Sequence, residues 1–368
     1  MTRYGIIGCG MMGQEHIRNI ALLDGAVVSA IYEPNPEMLS KASALVPEAR
    51  VADTLISLVM GDDVDCLMIA SPNFLHVEQL KQITDLRTLP ILVEKPLATD
   101  PADEAFLHKL VTDYAAPIWV AMEYRYMPPL ARFLELADEA TGGVKMLTIR
   151  EHRFPFLQKV GHWNRMNAYT GGTLVEKCCH FFDLMRLVTR SEPMRVMATS
   201  GQMVNHLDEF YDGARSDIWD SGYAIVDFAH GQRAMLELCM YAEGSEYQEV
   251  ISAVGPAGKI ECFIPGPGRF WPQDAGPEPV SKVVISPRDR GQMRTIPIEV
   301  DEALLAAGDH HGSTFYQHER FLKAVQGKGD VEVTLRDGWR AVAMGMAAQR
   351  SAEEHRMVEL KEISPVFG

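Results

Sequence analysis

Gly8-Cys9-Gly10-Met11-Met12-Gly13 follows a short apolar run, Tyr4 to Ile7, and opens onto a helical stretch; Glu33 stands twenty positions past the last glycine. At the end of a strand, Gly8 makes a tight turn, Gly10 lets backbone approach a pyrophosphate, and Gly13 lets the next helix pack close to the sheet. The helix start at Met11 and Met12 then receives the phosphate charge. Glu33 ends a second apolar run, Ala26 to Tyr32, where a carboxylate accepts hydrogen bonds from ribose hydroxyls. Strand, turn, helix, strand and acid in this order read as a dinucleotide site. Pro34, Asn35 and Pro36 follow Glu33, with no Arg or Lys beside it to receive a 2′-phosphate, so NAD is expected in preference to NADP.

Working outward, further buried-strand candidates alternate with helical stretches: Cys66 to Ala70, Ile91 to Glu94 and Ile118 to Met122. That is the rhythm of a parallel sheet with crossover helices, and ligands bind along its carboxyl edge. After Tyr124 the segments turn β-rich (Lys145 to Glu151, Tyr223 to Phe228, Arg233 to Met240, Glu249 to Val254) and read as a largely antiparallel sheet. The expected fold is therefore α/β, with a Rossmann dinucleotide-binding domain over residues 1–123. Residues 124–368 are expected to form a second domain on that sheet; its substrate-binding and oligomerisation roles are what the resemblance given below implies. Pro265 to Arg294, rich in Pro, Gly and charge, reads as irregular surface structure, and two helices, Thr314 to Gln326 and Arg336 to Glu354, close the chain.

At 368 residues the chain is long for one core and suits two domains. Lys and Arg number 35 against 50 Asp and Glu, a formal charge of −15 with no basic stripe, which argues against nucleic acid or an anionic membrane as partner. No apolar stretch is long enough to span a bilayer, and the N-terminus runs directly into the first strand, so a cytoplasmic protein is expected. The six cysteines have no spacing that would hold zinc, and no metal is expected.

Four further stretches place candidate chemistry. Ser71-Pro72-Asn73-Phe74-Leu75-His76 follows the strand ending at Ala70, where it turns over a cofactor or simply caps a helix. Glu94-Lys95-Pro96 brings a lysine out of a very apolar strand at the ligand edge, where its charge favours an oxyanion. A cis bond at Lys95–Pro96 would turn the lysine into the cleft as the strand ends, and the resemblance given below implies one. In Gly171-Gly172-Thr173-Leu174-Val175-Glu176-Lys177-Cys178-Cys179-His180-Phe181-Phe182-Asp183, a continuous helix puts Glu176, His180 and Asp183 on one face. A carboxylate one turn from a histidine orients the imidazole and raises its basicity, and the two glycines let the chain pass close to a ligand. Read alone, the same stretch is a capped helix with a buried hydrogen-bonding histidine. Asp309-His310-His311-Gly312-Ser313 precedes a helix and reads as a cap with solvated histidines.

Taken together, these motifs, with Tyr124-Arg125-Tyr126 and Pro128, resemble the Gfo/Idh/MocA family of oxidoreductases from Gly5 to about Leu360. The resemblance implies a Rossmann domain joined to an α/β domain with a large, mainly antiparallel open sheet that supports a homodimer or homotetramer. It implies a nicotinamide cofactor and a polyhydroxy substrate, a sugar, cyclitol or related polyol. Lys95 matches the family's active-site lysine and His180 its catalytic histidine; Glu176 stands where the pattern Asp-x-Gly-x-His has aspartate, and Cys178 replaces the glycine. The expected reaction is hydride transfer between a secondary alcohol and the nicotinamide, with Lys95, His180 and Glu176 as the catalytic group. Gly8, Gly10, Met11, Met12, Gly13, Glu33, Ser71, Pro72, Asn73, His76, Glu94 and Lys95 are the expected cofactor contacts. Tyr124, Arg125, His162, Arg165 and His311 are candidate substrate contacts. An NAD-dependent hydrolase or lyase working by transient sugar oxidation, and a non-catalytic NAD-binding regulator, are the alternatives.

Overall fold

The alternation in the first third of the chain becomes a six-stranded parallel sheet in the computed structural model, which describes residues 1–272 and 274–366. Its strands are β1 (Thr2–Ile7), β2 (Ala26–Tyr32), β3 (Arg50–Val51), β4 (Cys66–Ile69), β5 (Ile91–Val93) and β6 (Ile118–Val120), in spatial order β3-β2-β1-β4-β5-β6. β4, β5 and β6 are buried at every position, as strands covered by helices on both faces must be. Strand order reverses between β1 and β4, so their following loops, at Gly8 and Ser71, diverge and leave a crevice between them.

The rest of the chain adds β7 (Met146–His152), β8 (Pro193–Gly201), the short ribbon β9 (Phe210–Tyr211) and β10 (Ala214–Arg215), β11 (Ser221–Phe228), β12 (Arg233–Cys239), β13 (Glu249–Val254), β14 (Gly258–Ile264), β15 (Ser281–Pro287), β16 (Arg294–Ile298) and β17 (Val358–Glu359). All but the ribbon form one nine-stranded sheet, β16-β15-β14-β13-β7-β12-β11-β8-β17, antiparallel except where β7 runs parallel to β12. Burial alternates along its strands. One face carries the helices Pro128–Thr141, Cys179–Thr189 and Leu335–Glu354, while the other leaves Met197, Tyr223 and Ile225 exposed.

Two expectations change. The stretch from Pro265 to Arg294 contains β15, whose Ser281, Val283 and Ile285 point inward between half-buried neighbours; flanking Pro, Gly and charge mask so short an alternation. The Gly171–Asp183 helix is broken: Thr173–Glu176 and Cys179–Thr189 are separate helices, and Phe181 N and Phe182 N both bond to Cys178 O as the chain restarts. The last helix, Leu335–Glu354, is closed at its start by a Thr334/Asp337 capping box. It joins the two sheets: Val333 O, just before it, accepts from Val120 N at the edge of the parallel sheet, and its far turns pack on β8.

Candidate active site

The glycine turn is built as its sequence requires. Gly8 has φ +86°, and a Cβ there would stand 2.6 Å from Ser71 N; a Cβ on Gly13 would stand 2.2 Å from Gly8 O. Around Gly10 a Cβ would meet nothing within 4 Å, and no side chain caps the helix Met11–Ala21. Uncapped N–H groups opening onto free space are a cradle for an anion. Asn73 adds a buried Nδ2 without a hydrogen-bond partner. Glu33 accepts from Cys9 N at 2.6 Å and from Asn35 N at 2.8 Å, which fixes the acid at the end of β2 beside the glycine turn. These residues fit a dinucleotide: the glycine turn and helix start would hold its pyrophosphate, and Glu33 its adenosine ribose.

Others of the expected cofactor contacts are engaged within the protein. His76 is fully buried, its ring nitrogens 2.8 Å from Pro96 O and 3.0 Å from Ser71 O, so it ties the two cleft loops together instead of facing a ligand. Ser71 Oγ donates to Gln79. Glu94 is held between His16 Nε2, at 2.9 Å, and Lys95 N, at 3.1 Å. Pro72 leads into the single helical turn Asn73–Leu75, and Lys95–Pro96 is a cis bond, as expected.

Beyond the glycine turn lies a cleft that opens to solvent. Met11, Met12 and Lys95 line it from the parallel-sheet side, and Tyr124, Glu176, His180 and His311 from the other. Lys95 Nζ donates to the Glu176 backbone carbonyl at 3.3 Å. The carboxylate of Glu176 turns to Lys159, 3.3 Å away, and leaves the imidazole alone, because the helix break after Glu176 changes the register that a continuous helix would impose. His180 instead lies flat on Tyr124, ring centroids 4.0 Å apart and planes 8° from parallel, with Nδ1 unpartnered. Burial, and then the positive charges of Lys95, Lys177, His310 and Arg153, hold its pKa well below the ordinary imidazole value, so the ring is neutral at pH 7 and able to take a proton.

Three expected substrate contacts lie apart from the cleft lining. Arg125 makes a two-pronged bond to Asp183, both contacts 2.5 Å, which also accounts for the third residue of the expected helix face. Arg165 pairs with Glu209 at 2.9 Å and donates to Phe156 O. His162, at φ +55°, stacks on Tyr211. The two glycines approach protein instead of ligand: a Cβ on Gly171 would stand 3.2 Å from Thr99 O, and one on Gly172 2.5 Å from the Gln349 side chain.

Two clusters escaped the sequence reading. Lys177 is buried with Nζ 2.6 Å from Tyr124 Oη and 2.8 Å from Glu151 Oε1. Glu249, opposite Glu151 across β13 and β7, also lines the cleft; burial, then its neighbour's charge, push its pKa up to about 7. The available signal was an acid in an inward series, Leu147, Ile149, Glu151 on β7 and Glu249, Ile251, Ala253 on β13. His310, expected in solvent, sits 2.8 Å from Glu15 and 3.5 Å from Glu123. Burial opposes its charge, but the two acids carry its pKa up to about 9.

Comparison with known proteins agrees with this fold. Residues 2–121 match the family model described as the oxidoreductase family NAD-binding Rossmann fold, and residues 136–360 its C-terminal alpha/beta domain. The chain is 24% identical over 363 residues to an inositol 2-dehydrogenase of Rhizobium meliloti, covering 98% of this chain and 99% of that one. It is 22% identical over 364 residues to a myo-inositol 2-dehydrogenase of Thermotoga maritima, with the same coverage of 98% and 99%. A solved levoglucosan dehydrogenase, in complex with NADH and levoglucosan, superposes with a TM-score of 0.80 at 21% identity, covering 98% of this chain and 99% of that one, and shares the fold. With an NAD-binding Rossmann domain and the family's C-terminal domain both present, this chain belongs to the Gfo/Idh/MocA family of oxidoreductases.

Proposed function

We propose that the protein is an NAD-dependent dehydrogenase that oxidises a secondary alcohol of a sugar, cyclitol or related polyol. The observation that carries this reading is the cleft itself, lined by Met11 and Met12 of the glycine turn together with Lys95 and a neutral, buried His180. His180 takes the hydroxyl proton, while the Lys95 ammonium lowers the energy of negative charge developing on the same oxygen. Burial, and then the positive surroundings, make His180 a weak base in isolation; the same positive charges also acidify the hydroxyl. When bound, the nicotinamide supplies the hydride acceptor. Glu176 acts at one remove, through Lys159 and through the backbone carbonyl that positions Lys95. The relatives named above act on inositol or bind levoglucosan, which supports a cyclic polyhydroxy substrate.

Residues 1–123 serve as the cofactor domain and 124–368 as the substrate domain, a division supported by the last parallel strand ending at Val120. The exposed apolar residues Met197, Tyr223 and Ile225 on adjacent strands support a homodimer or homotetramer assembled through the open sheet face. Six free cysteines fit the reducing cytoplasm, and no helix among the described residues is long and apolar enough to cross a membrane.

The test is a screen of polyols, sugars and sugar acids for reduced-nicotinamide absorbance, run with NAD and NADP. Turnover of a cyclic polyol with NAD is expected. Release of a leaving group without net reduction of the cofactor selects the hydrolase or lyase reading instead.

A further inference from the structure

The family pattern around the catalytic histidine leaves one residue of this chain unaccounted for, Lys177. It follows the short helix Thr173–Glu176 at the point where the helix breaks, and its ammonium is buried. Burying a lysine is costly unless every donor finds a partner. Here Nζ meets Glu151 at 2.8 Å and the Tyr124 hydroxyl at 2.6 Å. A lysine that only neutralised Glu151 and its cross-strand neighbour Glu249 would have no need of the phenol. Tyr124 is in turn the ring on which His180 lies, at 4.0 Å and 8°. Glu176, the carboxylate expected to orient His180, is occupied by Lys159, and His180 Nδ1 has no partner.

We infer that Lys177 is a positioning residue: by tying the Tyr124 hydroxyl to Glu151 it holds the phenol ring flat beneath His180 and so sets the plane of the imidazole. The device runs from β7 through Glu151, Lys177 and Tyr124 to the base and replaces a direct carboxylate–imidazole hydrogen bond. A stacked ring fixes a plane without adding negative charge. The charged groups that face His180 are then Lys95 after β5, Lys177 itself, Arg153 after β7 and His310 before the helix Ser313–Val325. Behind them Glu151 and Glu249 balance Lys177, and Glu15 and Glu123 balance His310.

This inference rests on the reading of His180 as the base, but its test does not need a substrate. The full chain, labelled with ¹⁵N-histidine, is titrated by NMR from about pH 5 to 9 as wild type, Lys177→Met and Tyr124→Phe, with His180→Ala to assign the signal. In wild type the His180 ring resonances carry the ring-current displacement of a stacked phenol. Lys177→Met is expected to lose most of that displacement, and His180 becomes easier to protonate because a nearby cation has gone. Tyr124→Phe keeps the ring and the lysine but cuts the link; it is expected to lose the displacement with a smaller change in midpoint. Retention of the wild-type displacement in both variants overturns the inference and leaves Lys177 as a counter-ion only. If Lys177→Met does not fold, Tyr124→Phe decides by the same criterion. Turnover of His180→Ala tests the base separately, so failure of that reading is distinguishable from failure of this one.

Discussion

The His180 imidazole rests on the Tyr124 ring, centroids 4.0 Å apart, while Glu176, one turn earlier in sequence, pairs with Lys159. The proposed base and the acid expected to orient it are therefore separated in their contacts. Replacing His180 by Ala is expected to lower kcat by roughly 10²- to 10⁴-fold, the usual cost of removing a general base. NAD binding, measured by fluorescence titration, stays near the wild-type value, because the glycine turn is untouched. Glu176→Gln is expected to be milder. Near-normal turnover in folded His180→Ala protein would remove the mechanism.

Glu249 makes the fold sensitive to pH. Its pKa is raised from about 4.5 to about 7 by burial and Glu151, so the folded protein prefers the protonated acid. That preference contributes fully below about pH 4.5 and is lost as pH rises through about 7. In Glu249→Gln the group stays neutral, so relative to wild type the variant should gain stability across this window, by about 3 kcal/mol at most. Urea denaturation at a series of pH values measures the difference. Parallel curves for the two proteins would contradict the prediction.

His310 has the complementary sign of charge. Its pKa is raised from 6.5 to about 9 against burial by Glu15 and Glu123, so the stability it adds is complete below pH 6.5 and gone above about 9. His310→Gln should therefore melt below wild type at pH 6 and converge with it as pH passes about 9. A Tm difference independent of pH would show that the histidine acts by packing alone.

Glu33 is held beside the glycine turn by Cys9 N and Asn35 N. A 2′-phosphate brought against it meets a like charge, worth roughly 4 kcal/mol at about 4 Å and an effective dielectric near 20, before relaxation and screening. NAD should show the higher kcat/KM, and Glu33→Ser should narrow the ratio to NADP. Equal efficiency of the two cofactors in wild type would refute the assignment.

The glycine turn and the Lys95 strand end could be read from the chain, because each depends on local rules. A tight turn needs glycine at φ +86°, a buried parallel strand is apolar throughout, and its carboxyl end carries the polar group. The two-sheet architecture followed from the change in rhythm after Tyr124. The strand Ser281–Pro287 was hidden because its alternation covers few residues and is flanked by Pro, Gly and charge.

What tertiary structure alone decided is which charge meets which. Arg125 was read as a substrate contact, but Asp183 arrives from 58 positions away to take its guanidinium. His310 reads as solvated in the sequence, yet Glu15, 295 positions distant, pairs with the half-buried ring and favours its charge. Lys177 finds Tyr124 and Glu151 only once the helix breaks after Glu176 and the β-sheet stands behind it. Local backbone preference is written in neighbouring residues and survives in the sequence. Ion pairing in a desolvated interior depends on distances between remote segments, and those exist only when the chain has folded.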